Sequence, residues 1–461
     1  MTRALSIMAV ALLVPVVAWA GQTAPLTGGV PTESVTAAPL RLSLADAITR
    51  GLGHNLGVIL EEQQLRATGS VRLKALSELV PHVDGSVRAS RQVVNLAAFG
   101  FTGFDGIDVP SVVGPFNVID ARLMLSTSII DVAGRNRLHA ASAEEAAGRS
   151  DYRQARETVV LAVGNLYLMA LADQARLASS TAQMATADAL VRLAQDRHDA
   201  GLVPQIDVVR QQVQLQGARA QQIAANTALS NRRLQLARAI GLPAGQTFEL
   251  TTSSAFVPSE TPSFDDALRS AQAHRPDVLS ARARVDAARA TRQAASAGSL
   301  PTVHVDADVG ALGNTASSAQ PTYALAASLR VPIFSGSQRQ AAVQRADAEL
   351  RQREAELADL ENGLHYEIQS ALLTLTAAAA SVDVATSATA LAREELTQAQ
   401  DRFAAGIADT IEVVQAQEAV ARASEQYINS VYTHTIAKAS LARAMGDAET
   451  RFLALVGGPQ P

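Results

Sequence analysis

Along most of this chain apolar residues recur every three or four positions, but in four stretches the period drops to two. After Pro81, Val83, Gly85, Val87 and Ala89 alternate with His82, Asp84, Ser86, Arg88 and Ser90. A second stretch sets Ile119, Ala121, Leu123, Leu125, Thr127 and Ile129 against Asp120, Arg122, Met124, Ser126 and Ser128. In the third, Val303, Val305, Ala307, Val309 and Ala311 face away from Thr302, His304, Asp306, Asp308 and Gly310, and in the fourth Tyr323, Leu325, Ala327, Leu329, Val331 and Ile333 share one side. Period two sends neighbouring side chains to opposite faces, so these are four two-faced strands in two hairpins. The Gly- and Phe-rich segment Phe99–Gly106 links the first pair and Gly313–Ser318 the second. A soluble sheet also has one apolar face, but two isolated hairpins between helices would leave their edges open. Each strand has the roughly 10 residues that a tilted strand needs to cross the hydrocarbon layer, and several chains closing a barrel would remove every edge.

Elsewhere the period is helical. Helices are predicted near 43–79 and 263–299, opened by Ser43 with Asp46 and Ser263 with Asp266 in the manner of a capping box, and stopped by Pro81 and Pro301. Past Gly134 and Gly336 come much longer Ala-rich helices, the second with a narrow stripe that includes Val343, Ala346, Leu350, Leu357, Leu360 and Leu364, the spacing of a coiled-coil seam. From His139 to Asp199 such a helix would run about 90 Å, far too long for the core of a compact globule. Shorter helices near 207–240 and 412–445 follow two turns, and each is long enough, end to end with the shorter helix before the hairpin, to cover the long one.

The two sets of elements are copies. Shifted by 220 residues, Ser43-Leu44-Ala45-Asp46-Ala47 falls on Ser263-Phe264-Asp265-Asp266-Ala267 and Pro81 on Pro301. Shifted by 205, Arg197-His198-Asp199-Ala200-Gly201 falls on Arg402-Phe403-Ala404-Ala405-Gly406. A period of this length means two structural halves and not a solenoid of short repeats. The boundaries read from it are a first repeat over 43–241, a linker over 242–262, a second repeat over 263–446 and a tail over 447–461.

Composition narrows the setting. Arg3, the apolar run Ala4–Trp19 and the small-x-small close Ala18-Trp19-Ala20 form a signal peptide over 1–20, followed by an extended segment over 21–42. Cysteine is absent, which removes disulfides, thiolate metal sites and lipid attachment at an N-terminal Cys. A formal net charge of −5 argues against nucleic acid as a partner. No unbroken run of about 18 apolar residues follows the signal, so any crossing of a bilayer is expected through strands. The eight histidines are scattered, and neither HExxH, GxSxG nor a P-loop occurs, so no catalytic, cofactor-binding or metal residue is assigned.

The order of signal, helix, strand, strand, long helix, turn and helix, given twice, resembles the outer-membrane efflux protein family, of which TolC is the familiar member. The turns Ala200-Gly201-Leu202-Val203-Pro204-Gln205-Ile206-Asp207-Val208 and Ala405-Gly406-Ile407-Ala408-Asp409-Thr410-Ile411-Glu412-Val413 carry the same resemblance. It implies a mainly α protein with a membrane β part: a homotrimer whose four strands per chain close a twelve-stranded barrel in outer-membrane lipid, continued through the periplasm by an α-barrel of coiled-coil helical hairpins. It implies a passive conduit for small molecules or proteins, in a tripartite efflux pump or a type I secretion system. A periplasmic adaptor (membrane fusion) protein would dock at the turns Gly201, Leu202, Val203 and Gly406, Ile407, Ala408 and would connect the channel indirectly to an inner-membrane transporter. Asp207 and Glu412 fall at the tunnel's entrance constriction. They also open the returning helices, where the helix dipole favours a carboxylate. Phe403, Ala408 and Gln415 depart from the residues common there, which implies a different closing latch. The principal alternative is a periplasmic coiled-coil adaptor or scaffold, which would carry one central helical hairpin instead of a duplicated order.

Overall fold

The computed structural model describes residues 28–31, 34–100, 110–251, 261–334, 336–408 and 410–455. The predicted signal peptide, residues 101–106 of the first strand loop, and Asp409 lie outside them. In chain order the elements are β1 (Leu40–Leu42), α1 (Leu44–His54), α2 (Leu56–Ser77), β2 (His82–Asn95), β3 (Val112–Ile130), α3 (Val132–Asp199), α4 (Gln205–Ala239) and β4 (Phe248–Leu250). The second half follows with α5 (Phe264–His274), α6 (Pro276–Ala297), β5 (Thr302–Gly313), β6 (Gln320–Arg330), α7 (Gln338–Ala404), α8 (Thr410–Ala444) and α9 (Ala448–Leu455).

The single helices expected over 43–79 and 263–299 are each broken. Ser43 and Asp46 do form a capping box, with Asp46 N donating to Ser43 Oγ at 3.1 Å and Ser43 N to Asp46 Oδ2 at 3.0 Å. Twelve residues after Ser43, however, Asn55 is extended (φ −69°, ψ 129°), ends α1 and caps α2 by accepting from Gly57 N at 2.9 Å. Arg275 likewise is extended (φ −61°, ψ 123°) and ends α5, without a side-chain cap to α6, because the ring of Pro276 disfavours helical backbone in the residue before it.

The four long strands form one antiparallel sheet in the order β2-β3-β5-β6. Its register puts Gly85, Leu123, Val309 and Tyr323 in one row across the sheet, and Val83, Leu125, Ala307 and Leu325 in another row of the same face. The opposite face carries His82, Ser126 and Asp306 in one row and Asp84, Met124 and Asp308 in the next. There Arg122 Nε meets Asp120 at 2.8 Å and Arg122 Nη1 meets Asp308 at 3.2 Å. Among the described residues, both outer strands, β2 and β6, have one edge without a strand partner. β6 ends at Arg330, so Val331 and Ile333 lie beyond it.

Below the sheet the helices stand in four columns. α3 packs against α2 and α4 on one side and against α6 and α8 on the other, and α7 packs against α6 and α8. The order is therefore α2 with α4, then α3, then α6 with α8, then α7. Within a column the shorter helices meet end to end: Asn55 Nδ2 donates to Ala239 O at 3.4 Å, and Ser270 Oγ donates to Met445 O at 3.2 Å. Each long helix holds an 18-residue stretch apolar enough to cross a membrane, with mean hydropathy 1.3 in α3 and 1.4 in α7. At 68 and 67 residues, both helices are several times longer than a span requires. In α3 that stretch is 56% buried by the rest of the chain, in α7 only 22%.

The principal core lies halfway along α3, where Val159, Val160, Val163, Tyr167 and Leu168 are fully enclosed by α1, the end of α4 and α9. Tyr167 Oη donates to Leu42 O at 2.9 Å, satisfying the one polar atom of that ring. The short parallel pair of β1 with β4 joins residues near the two ends of the first half.

Candidate functional site

The far ends of the helical hairpins are built alike. α3 closes with Leu202 N donating to Arg197 O (2.9 Å) and Gly201 N to His198 O (2.8 Å), around a Gly201 with φ +71°. α7 closes with Ile407 N to Arg402 O (2.9 Å) and Gly406 N to Phe403 O (3.0 Å), around a Gly406 with φ +75°. This is the αL closure in which glycine avoids the Cβ penalty. In such closures the apolar residue after the glycine commonly packs back on its helix. Here it does not: Leu202 is 68% and Ile407 73% exposed.

The two tips are tied by a residue that sequence reasoning did not single out. Arg197, in the last turn of α3, hydrogen-bonds the carbonyl oxygen of Phe403, and its guanidinium lies 4.7 Å from the centre of the Phe403 ring. Phe403 itself is buried with Leu190, Ala399, Val413 and Ala416, which joins α3, α7 and α8. Its repeat partner Arg402 turns elsewhere, to Glu412 at 3.3 Å. Asp207 pairs with Arg210 of its own helix at 3.1 Å. Each acid expected at the entrance is thus opposed by an arginine of its own chain. The aligned Arg197 and Arg402, four residues before each glycine, were the available signal.

Between the hairpins α3–α4 and α7–α8 lies an open groove of about 770 Å³, lined by Ser179, Gln183, Gln214, Gln221, Arg393 and Arg422 among others. The outer columns carry exposed apolar side chains: Leu60, Val71 and Leu73 on α2, Val213, Ile223 and Leu234 on α4, and Tyr366, Leu373, Val384 and Leu391 on α7.

Comparison with known proteins adds sequence and fold relatives. The family model described as outer membrane efflux protein matches residues 62–242 and again 267–447, one match per half. The pyoverdine export outer membrane protein OpmQ of Pseudomonas putida is 26% identical over 344 residues, 73% of this chain and 71% of that protein. The outer membrane protein TolC of Vibrio cholerae is 22% identical over 314 residues, 66% of this chain and 72% of its own. Among solved structures, the CmeC outer membrane channel of Campylobacter jejuni superposes with a TM-score of 0.74 at 16% identity, covering 92% of each chain. The MtrE outer membrane channel of Neisseria gonorrhoeae, in its open state, gives 0.71 at 16% identity, covering 91% of this chain and 94% of that one.

Proposed function

This chain belongs to the outer membrane efflux protein family, and from that premise we propose that three copies close into a single tunnel that carries exported molecules across the periplasm and out through the outer membrane. The observation that carries this reading is the agreement between the two layers of the protomer. The sheet runs β2-β3-β5-β6 with both edges unpaired among the described residues, and the helices below run in the matching order, from the α2 and α4 column to α7, with apolar side chains exposed on both end columns. A protomer that ends on open flanks at both levels is completed by neighbours of its own kind, and three four-stranded sheets make a twelve-stranded barrel. The apolar stretch of α7, left largely uncovered by its own chain, fits the same arrangement.

In that assembly the turns at Gly201 and Gly406 form the periplasmic tip. Leu202 and Ile407, held out by the αL closures, offer an adaptor protein apolar contacts at the tip. The channel itself performs no chemistry in this reading. Its work is to hold a continuous path, while an inner-membrane transporter, linked through the adaptor, supplies the energy. The pyoverdine-export relatives make a low-molecular-weight cargo the one to test first.

Gly201→Glu and Gly406→Glu test the tip. Both should abolish export by cells that carry the native adaptor, while outer-membrane insertion and the trimer remain, because the tips lie about 100 Å of helix from the sheet. Normal export by both variants would refute adaptor docking at these turns.

A further inference from the structure

Halfway along α3 the fold buries a carboxylate that the conduit does not use. Glu157 is 9% exposed, and among the described residues its side chain makes no hydrogen bond or ion pair. It borders a cavity of about 10 Å³, room for about one water molecule, shared with Arg275, Asp277 and Arg443.

Every element packed there brings charge to this point. From α6 comes Asp277, held with Arg275 at 2.6 Å, and Arg275 is also held at 2.6 Å by Glu367 of α7. From α8 comes Arg443, from the turn after it Asp447, and from α9 Glu449. Burial, and then repulsion from Asp277, Asp447 and Glu449, push the Glu157 carboxyl up to about 7, with Arg443 partly offsetting them. Asp447 itself is held by Arg451 at 3.2 Å.

Two of those three acids belong to the segment that α9 brings to α3. The helix is fastened by two contacts that straddle Glu157. Arg156, the next residue, takes both carboxylate oxygens of Glu449. About two turns farther along, the fully buried ring of Phe452 sits on Gly164, where a Cβ would lie 2.1 Å from Cζ. The start of α9 therefore lies beside a buried group whose charge decides whether that end is attracted or repelled.

The geometry points to a proton-operated clasp at the waist of the protomer: with Glu157 neutral, α9 lies closed against α3, and with Glu157 ionised, the N-terminal end of α9 is released. The sign follows from linkage. A carboxyl whose folded value lies above its unfolded value near 4.5 contributes a stability that is full at low pH and declines as pH rises between about 4.5 and about 7. The clasp is thus closed in an acidified periplasm and loosened in an alkaline one.

Because the native chain has no cysteine, one nitroxide label at Thr450→Cys, an exposed position of α9, reports this helix alone in the assembled full-length protein. The label should be most immobile near pH 4.5 and gain a mobile component that grows up to about pH 7 and levels off above it. With Glu157→Gln it should stay immobile throughout. His434, also buried on α8, is retained in that variant, so a transition that belonged to the histidine would survive there. Asp447→Asn, which keeps Glu157 but removes one repelling charge, should leave a smaller mobile component above pH 7. A label whose mobility is flat in pH in the native background, a transition unchanged by Glu157→Gln, or a mobile component undiminished by Asp447→Asn would each overturn the proposal.

Discussion

Leu123→Lys places a charge in the middle of the apolar face of the sheet. Leu123 lies between Gly85 of β2 and Val309 of β5, in a row that ends at Tyr323 of β6, and it is 55% exposed in the isolated protomer. Three charged residues close by in the sheet, Asp120, Arg122 and Asp308, lie on other rows, and Arg122 and Asp308 already bond to each other across the opposite face. A lysine near mid-membrane on a lipid-facing strand costs about 2 to 4 kcal/mol, which is about 6 to 12 kcal/mol for three chains. Ser126→Lys is the control. Ser126 Oγ donates to Asp306 at 2.7 Å on the polar face, so a lysine there gains a carboxylate partner and should change stability by less than about 1 kcal/mol per chain. Both variants should be folded into vesicles and titrated with urea by far-ultraviolet circular dichroism. The account requires a large loss of stability for Leu123→Lys and little for Ser126→Lys. Equal midpoints would show that the faces, or the membrane placement of this sheet, are wrong.

Other variants test separate parts of the molecule. Phe452→Ala should lower stability by about 3 to 5 kcal/mol, seen as an earlier thermal transition, since its ring is fully buried on Gly164. Combined with Gly164→Ala, which displaces the same ring, the loss should be less than additive, and simple additivity would deny the contact. Glu412→Gln should leave the melting temperature nearly unchanged, because its ion pair with Arg402 is 39% and 56% exposed on the two sides. It should nevertheless reduce cation preference in a planar bilayer, because three Arg402 guanidinium groups near the entrance would lose their acid partners. An unaltered selectivity would mean that Glu412 only caps α8.

The strand faces and the duplicated halves were legible because period two and self-similarity are properties of the sequence itself. Ser43 with Asp46 marked a helix start for the same local reason. The breaks at Asn55 and Arg275 had local signals too, a capping side chain and a following proline, but the helical period continues across both and masks them. The pair β1 with β4 is three residues on each side and joins positions some 200 apart, too short for any period to show. Arg197 reaching Phe403 is likewise a contact between hairpins, decided by how α3 and α7 stand together. The segment after 446 reads as a tail by composition, yet Ala448–Leu455 forms α9, because the notch at Gly164 gives Phe452 a place to be buried. Glu157 is enclosed with Arg275, Asp277 and Arg443 from distant parts of the chain, so nothing local to that long helix could have marked it.

Closure by three copies is the claim on which the conduit depends, and the mass of the purified particle tests it most directly. Light scattering of the protein in mild detergent, with the detergent contribution subtracted, should give three chains per particle, since one edge each of β2 and β6 lacks a strand partner among the described residues and four strands cannot enclose a pore. A monodisperse, folded monomer would contradict the account.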